Sequence, residues 1–350
     1  MDLSYFNARI RAMMGALLKE NDYAPLFAVE GVTGFVDRLR GTTYGPYVET
    51  AGVHFQMAED IFSAALADDL ADTFAKLWGI APEEATPFLK AILSEWEVFD
   101  LKAVIRGVAR SIRKSEVQGA TIPAGEFDIA AIRTLLTAED VLGVIRFLDT
   151  WGSPYAEPLK AGLPHYRKNG GTGEMEIHID RFIFPFLFKI IKDGSLNHRI
   201  MFGVLALRID IRNIMTLFKI VGEGYTEEGV LAFFIEGGKG ILQKDFLVLA
   251  KLNDREVLAK RLVPLIKDGG LKDVLASSDP NETYSFEERL DEIVEKKLKR
   301  LSVVEPLSIA PAASYIHMKV REIKNLRLIG RSKAFGIPED EIKRFITYPV

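Results

Sequence analysis

Asp100-Leu101-Lys102-Ala103-Val104 recurs in this chain as Asp210-Ile211-Arg212-Asn213-Ile214 and again as Glu322-Ile323-Lys324-Asn325-Leu326. The acidic residues that lead the three copies are separated by 110 and 112 positions. In each copy an aliphatic residue and a base follow the acid, and a second aliphatic residue comes three positions after the first. That spacing is one turn of an amphipathic helix. Such a period in a chain of 350 residues predicts one helical module that is used three times.

A second phrase recurs in step with the first. Ile179-Asp180-Arg181-Phe182 lies about 30 residues before the second copy, and Leu290-Asp291-Glu292-Ile293 lies 31 residues before the third. The best match in the first module is Asp60-Ile61-Phe62, which lies 40 residues ahead of the first copy. Because the two phrases recur at the same spacing, they predict three similar helical modules at residues 1–98, 99–208 and 209–350. The last module includes closing C-terminal helices.

Helical periodicity dominates the chain. After Asp100 the apolar residues fall on one helix face, at Leu101, Val104, Ile105, Val108 and Ile112. Basic residues fall at four-residue intervals on another side, at Lys102, Arg106, Arg110 and Lys114. This basic ridge is either an ordinary solvated face or a docking surface for an acidic partner. Because runs with the character of strands are short, the whole chain is predicted to be all-α.

The composition argues against several classes of protein. The chain has 45 bases against 49 acids, and this balance disfavours nucleic-acid binding, which needs a concentrated basic surface. It contains no cysteine, which excludes disulfides and thiolate metal sites and indicates an intracellular location. The longest apolar stretch, residues 182–188, is shorter than the roughly 20 residues that a membrane span requires. We therefore expect a cytoplasmic protein that reaches a membrane only through partners.

Catalytic signatures are weak. Asp68, Asp69 and Asp72 match the aspartate-rich motif with which all-α isoprenoid-diphosphate enzymes bind magnesium, but no convincing second acidic cluster accompanies them. The five histidines lack the spacing of a zinc site. The glycine-rich runs at 170–174 and 237–240 lack the spacing of a phosphate-binding loop. No catalytic, cofactor-binding or metal-binding residue is predicted, and the magnesium enzyme is kept as an alternative.

Several segments together resemble a known family. The opening Tyr5-Phe6-Asn7-Ala8-Arg9-Ile10-Arg11-Ala12-Met13, the stretch Asp180-Arg181-Phe182-Ile183-Phe184 and the phrases at Asp210 and Glu322 are similar to the C subunits of archaeal and bacterial A/V-type ATP synthases. The eukaryotic relative is the d subunit of the vacuolar proton pump. The resemblance covers essentially the whole chain in order and in length.

The resemblance implies a fold and a role. The fold would be an all-helical funnel of three similar domains with approximate three-fold symmetry. The protein would catalyse nothing and would couple the central stalk, formed by the D and F subunits, to the membrane rotor ring of proteolipid subunits at its cytoplasmic face. Ion transport would then be linked to ATP synthesis or hydrolysis by a rotary motor. An unrelated helical scaffold with a partner in its concavity is the remaining alternative.

The repeated phrases supply the candidate contact residues. Asp100, Asp210 and Glu322 are expected to cap or dock at equivalent places. Four bases are expected to make polar contacts with the stalk or the ring: Lys102, Arg106, Arg212 and Lys324. For each of these residues, intramolecular capping and salt bridges between modules remain an equally good interpretation.

Overall fold

The prediction of an all-α chain is confirmed. The computed structural model describes residues 3–348, apart from the side chains of residues 283 and 284, and within that range it contains helices, turns and loops without a β-strand. The chain forms two compact units. Unit 1 comprises Met1–Phe147 with Pro311–Val350, and unit 2 comprises Leu148–Ala310.

Unit 1 takes helices from both ends of the chain. Its N-terminal part contains α1 (Ser4–Met14), α2 (Glu20–Phe27), α3 (Gly31–Leu39), α4 (Gly45–His54), α5 (Ala58–Ile80), α6 (Thr86–Ala109), α7 (Lys114–Ala120) and α8 (Ile129–Leu135). Helix α9 (Val141–Thr150) runs across the boundary with unit 2. The C-terminal part contains α18 (Ala310–Phe335), which enters unit 1 at Pro311, and α19 (Glu339–Lys343).

Unit 2 is continuous in sequence. It contains α10 (Ala156–Asn169), α11 (Gly173–Ile190), α12 (Leu196–Ile220), α13 (Glu227–Phe233), α14 (Gln243–Leu249), α15 (Arg255–Leu262), α16 (Gly269–Ser277) and α17 (Thr283–Val304). Short polar side chains begin several of these helices. At the start of α12, Ser195 Oγ accepts the N–H of His198 at 3.1 Å, and at the start of α15, Asp254 accepts the N–H of Val257 at 2.8 Å. Each bond satisfies an N–H that the helix itself leaves unpaired.

The core of unit 1 lies around α6 and α18. Helix α18 is buried on almost every side, although it carries several charged residues. It packs closely because Gly330 faces the rings of Phe35 and Phe62, and a Cβ at this glycine would lie 2.9 Å from atoms of both. Those two rings meet edge to face at 5.6 Å between centroids. Apolar burial explains the position of α18, but its buried charges need partners of their own.

In unit 2 the corresponding central helix is α12, which buries residues on several faces. Its Phe218 ring meets the Phe286 ring of α17 at 4.9 Å. The three repeated phrases therefore lie in α6, α12 and α18, three of the long helices. Residues 98 and 208, where two of the predicted modules end, lie inside α6 and α12. The division into three modules and their funnel arrangement stay predictions.

Candidate functional site

Two buried carboxylates lie one turn apart on α6, and both hold the loop between α7 and α8. Glu97 Oε1 accepts the N–H of Glu126 at 2.9 Å. Asp100 Oδ1 accepts the N–H of Ile122 at 2.7 Å. Both acids are fully buried. Their hydrogen bonds satisfy two backbone N–H groups of an irregular segment, and the N–H of Ile122 is buried.

The same arrangement occurs on α12, where the loop between α13 and α14 is held. The carboxylate of Asp210 accepts the N–H groups of Lys239 at 3.0 Å, Gly240 at 2.9 Å and Ile241 at 3.3 Å. One turn later, the amide of Asn213 donates to the carbonyl of Ile235 at 2.8 Å and accepts its N–H at 3.0 Å. A single helical turn thus binds four residues of the irregular segment 235–241.

On α18 the equivalent pair is Glu322 and Asn325. The amide of Asn325 donates to the carbonyl of Thr347 at 2.9 Å. The carboxylate of Glu322 accepts the backbone N–H of Leu18 and the hydroxyl of Tyr44. Both side chains are buried, as they are on the other two helices. Here the acid binds the N-terminal part of unit 1 instead of a loop that follows its own helix.

These contacts define the register of the repeat. Asp100, Asn213 and Asn325 each bind the residue 22 positions further along the chain. Glu97 and Asp210 each bind a residue 29 positions further along. Glu97 therefore occupies the position of Asp210 and Glu322 in the repeat. The repeated phrase aligned Asp100 with those two acids, and in the first copy that alignment is wrong by one helical turn.

Glycines allow the loops to approach these carboxylates. Gly125 has a positive φ of 58°, and a Cβ there would overlap Oε1 of Glu97. In the loop of α12, a Cβ on Gly238 would overlap the carboxylate of Asp210, and a Cβ on Gly240 would lie 3.3 Å from it. The glycine-rich run at 237–240 thus surrounds a carboxylate of this chain and leaves no room for a β-carbon.

This close approach predicts a large cost for a methyl group. Gly125→Ala is expected to destabilise unit 1 by about 2–4 kcal/mol, because positive φ strain adds to overlap with Glu97. Gly152→Ala is the matched control, since Gly152 has a similar φ of 67° with nothing within 4 Å of its Cβ. It should cost only about 1 kcal/mol. Urea unfolding followed by circular dichroism measures both, and equal losses for the two variants would show that Glu97 is not crowded.

Glu322 is also part of a buried ionic cluster, which we define as Tyr44, Asp69, Lys319 and Glu322. Lys319 Nζ lies 2.7 Å from Asp69 Oδ2 and 2.9 Å from Glu322 Oε1. It also donates to the hydroxyl of Tyr44 at 2.9 Å. All four residues are buried, so their charges are screened little by water. The cluster joins Asp69 of α5 and two residues of α18 to Tyr44, which directly precedes α4.

Burial and charge act together on the protonation of this cluster. Burial alone lowers the pKa of Lys319, but the nearby Glu322 and Asp69 carboxylates outweigh it, and the net pKa is raised. Burial raises the pKa of Asp69, against the opposite influence of Lys319. Burial also raises the pKa of the Tyr44 hydroxyl, and the negative charge of Glu322 adds to this effect. Lys319 therefore stays charged and Tyr44 stays neutral at physiological pH.

The buried carboxylate of Asp100 interacts with the charge of Arg327 as well as with the N–H of Ile122. Its Oδ2 is buried and accepts no hydrogen bond within the described part of the chain. Burial raises the pKa of Asp100 well above its usual range, although the Ile122 N–H and the charge of Arg327 oppose the shift. Burial lowers the pKa of Arg327 to about 10. Helix α18 thus carries two buried cations near buried acids: Lys319 beside Asp69 and Glu322, and Arg327 near Asp100.

The structure places the seven predicted contact residues in different environments. Asp100, Asp210 and Glu322 are buried and bind backbone N–H groups in non-helical segments of this chain. Lys102 is also buried, with 9% of its surface exposed. Lys324 is half-buried, and Arg106 and Arg212 are exposed. The contacts of all seven with a partner stay a prediction.

The aspartate-rich motif on α5 is engaged within the chain. Asp69 forms the ion pair with Lys319, and Asp72 accepts the hydroxyl of Tyr47 at 2.9 Å. Among residues 3–348 no group of three histidine, cysteine, aspartate or glutamate side chains is arranged to hold a metal ion. One carboxylate of the motif, Asp69, is therefore paired with a lysine of this chain.

Similarity to known proteins extends over the whole chain. The family model described as "ATP synthase (C/AC39) subunit" matches residues 6–345. The A-type ATP synthase C subunit of Methanosphaera stadtmanae is 27% identical over 98% of this chain and 87% of its own length. The C subunit of Halorubrum lacusprofundi is 27% identical over 97% of this chain and 95% of its length, and that of Haloferax volcanii is 28% identical over the same shares. In the described residues, no helix is long and apolar enough to span a bilayer.

Proposed function

The chain belongs to the ATP synthase (C/AC39) subunit family, and from that membership we propose that it is the non-catalytic adaptor of the central rotor. It connects the central stalk, formed by the D and F subunits, to the proteolipid ring at the cytoplasmic face of the membrane. Rotation of the ring is thereby coupled to ATP synthesis or hydrolysis. The observation that carries the proposal is the family match from residue 6 to residue 345.

Three pairs of buried polar side chains support a mechanical role. We call them the buried anchors: Glu97 and Asp100 on α6, Asp210 and Asn213 on α12, and Glu322 and Asn325 on α18. A rotor adaptor transmits torque, so its helices must resist sliding and its loops must keep their positions. Close packing gives such a body low compressibility. In this chain the two acids of α6 and the acid–amide pairs of α12 and α18 add directional bonds from the helix to the backbone of a distant segment. These bonds fix each loop against its helix at more than one point.

The exposed bases are the proposed contact residues. Arg106 on α6 and Arg212 on α12 are exposed at positions close to the buried anchors. Charges at the rim of an interface mainly govern the rate and salt dependence of association. Arg106 and Arg212 therefore serve as rim contacts to stalk or ring, while the buried acids Asp100 and Asp210 hold segments of the chain against α6 and α12, which present them.

Co-purification tests the adaptor. Tagged full-length chain, expressed in cells that carry the complete complex, is expected to bring down the D and F subunits and the proteolipid ring in gentle detergent at low salt. The double variant Arg106→Glu/Arg212→Glu should reduce recovery by about tenfold at moderate salt. Lys244→Glu/Lys260→Glu, which changes two exposed bases of unit 2, is the control and should recover the wild-type amount. Failure of the wild-type chain to recover both stalk and ring would contradict the proposal.

A further inference from the structure

One segment of α17 differs in charge from the rest of the chain. Residues 296–304 read Lys296-Lys297-Leu298-Lys299-Arg300-Leu301-Ser302-Val303-Val304, with four bases and no acid, in a chain whose net charge is −4. Bases at the end of a helix favour the helix dipole. That effect does not explain why the same segment ends on exposed valines.

The end of α17 is apolar and open to solvent. Val303 is 75% exposed, Val304 is 62% exposed and Leu307, just beyond the helix, is 61% exposed. Leu196 at the start of α12 belongs to the same area, because the side chain of the next residue, Asn197, accepts the N–H of Ile309 at 2.8 Å. We call Leu196, Val303, Val304 and Leu307 the apolar tip of unit 2. Adjacent exposed apolar residues of this kind mark an interaction surface.

A charged cleft lies directly behind the tip. It has a volume of about 620 Å³ and lies between α16 and α17. The residues of α17 that line it are spaced three or four apart, at Arg289, Glu292, Ile293, Lys296, Lys297 and Arg300. The next positions in this stripe are Val303 and Val304. The cleft is lined by the four bases of this stripe and by three acids, Asp268, Asp273 and Glu292, and the base nearest to the tip is Arg300. One face of α17 therefore continues from the charged cleft onto the apolar tip.

The cations of the cleft differ in how they are engaged. Lys296 pairs with Glu292 at 2.9 Å, and Lys297 lies 3.8 Å from Asp268. Arg289 donates to the hydroxyl of Ser277 at 2.9 Å. Arg300 is exposed, and within the described residues it makes no hydrogen bond or ion pair. It lies at the junction of the cleft and the tip, where an anionic group next to an apolar surface would meet it.

We propose that the apolar tip, Arg300 and the cleft behind them bind the surface of a membrane that contains anionic phospholipid. Apolar side chains followed by a basic turn match the change from acyl chain to charged headgroup across a membrane interface. The phosphate of a headgroup lies against Arg300 and the mouth of the cleft, and the valines enter the interfacial layer. This proposal goes beyond the rotor-adaptor function, because it needs lipid alone and no other protein.

Vesicle sedimentation tests the proposal. Purified full-length chain is mixed with vesicles of phosphatidylcholine alone or of phosphatidylcholine with about 30% phosphatidylglycerol, and the bound fraction is measured. We expect binding to the anionic vesicles only, with a loss of at least about tenfold between low and high salt because the attraction is screened. Arg300→Glu/Val304→Asp is expected to bind at least about tenfold more weakly than wild type.

A matched variant controls for non-specific effects. Lys244→Glu/Val248→Asp makes the same kinds of change one turn apart on α14, where Val248 is 66% exposed. It should bind like wild type, and circular dichroism checks that both variants are folded. Equal binding by the two variants, or equal binding to both kinds of vesicle, overturns the proposal. So does competition by millimolar inorganic phosphate, which would indicate a site for a soluble anion.

A protein partner at this tip is a separate outcome. If Arg300→Glu/Val304→Asp leaves vesicle binding unchanged but loses the ring in co-purification, the tip binds protein and the lipid proposal is wrong while the adaptor function stands. If wild-type chain binds anionic vesicles but recovers neither stalk nor ring, the adaptor function fails and the lipid proposal stands.

Discussion

Replacing Asp210 with alanine is expected to lower the free energy of unfolding by about 3–5 kcal/mol, which is a large fraction of the stability of an ordinary domain. The carboxylate accepts the backbone N–H groups of Lys239, Gly240 and Ile241. Alanine leaves all three without an acceptor and opens a hole where the glycine-rich loop had closed around the side chain. Asparagine, which keeps one oxygen, should cost about 1–3 kcal/mol.

Two measurements check this expectation. Urea unfolding gives the loss of stability, and hydrogen exchange gives its location, because the amide hydrogens of residues 239–241 should lose protection before the rest of unit 2. Asp273→Ala is the control: Asp273 is exposed on α16, and its loss should change stability by no more than about 0.5 kcal/mol. Unchanged protection at 239–241 in Asp210→Ala would refute the assignment of this residue as the anchor of the loop.

Lys319→Met is expected to have an effect of similar size in unit 1, about 3–5 kcal/mol. The substitution keeps much of the side-chain volume and removes the only cation that contacts both Asp69 and Glu322 among the described residues. Two carboxylates are then buried close together without a counterion. Because Lys319 has a raised pKa, its contribution is fully present below the ordinary lysine pKa and is lost as the pH rises through the folded value. The contribution of the charged Lys319 to the stability of the wild-type chain should therefore be constant from pH 6 to pH 9.

A double-mutant cycle separates charge from packing. In the Lys319→Met background, Asp69→Asn removes one of the two stranded charges and should restore part of the lost stability, whereas Asp69→Asn alone should be destabilising. Lys324→Met on the same helix is the control, since Lys324 is half-buried and outside the cluster, and it should change stability by less than about 1 kcal/mol. If Asp69→Asn gives the same change in both backgrounds, the lysine and the aspartate do not interact.

The sequence predicted the fold class and the helices that matter. Helical periodicity around Asp100 predicted α6, and the repeated phrase identified the three helices that carry the buried anchors. The predicted stripes ran on to Ile112 and Lys114, whereas α6 ends at Ala109 and Lys114 begins α7, so the helix was predicted too long. The register of the first copy was wrong for a local reason: Glu97 and Asp100 are both acidic and lie one turn apart. The sequence held one sign of the correct register: a polar residue follows three positions after Asp210, Glu322 and Glu97, whereas Ala103 follows three positions after Asp100. The hydrogen bonds to Glu126 and Ile122 agree with that sign.

The two asparagines of the anchors could have been predicted from the sequence. Asn213 and Asn325 lie in the repeated phrases, each three residues after an acid in a largely apolar helix. Two polar residues one turn apart on a buried face must both find partners, and this rule would have identified them. The ionic cluster had no such local signal. The hydroxyl of Tyr44 and the ammonium group of Lys319 are joined across 275 positions of the chain, which periodicity cannot detect.

The aspartate-rich motif on α5 shows why spacing alone misleads. Three carboxylates within about one helical turn suit a divalent cation, and the nearest cation in the sequence is Lys76, four residues after Asp72. The structure adds a cation from α18, since Lys319 lies 2.7 Å from Asp69. The tertiary fold therefore places at least one carboxylate of the motif in an ion pair within the chain.

The long-range bonds of Glu322 have a consequence for synthesis on the ribosome. The acids of α6 and α12 bind loops that emerge within about 31 residues, so their contacts form soon after each helix is translated. Leu18 and Tyr44, by contrast, can bind Glu322 only after it is translated, 304 and 278 residues later. Unit 2 can therefore be complete while unit 1 is still missing a central helix. A nascent chain stalled before residue 310 would expose the apolar surface of α3 and α5, and chaperones would have most reason to bind it at that stage.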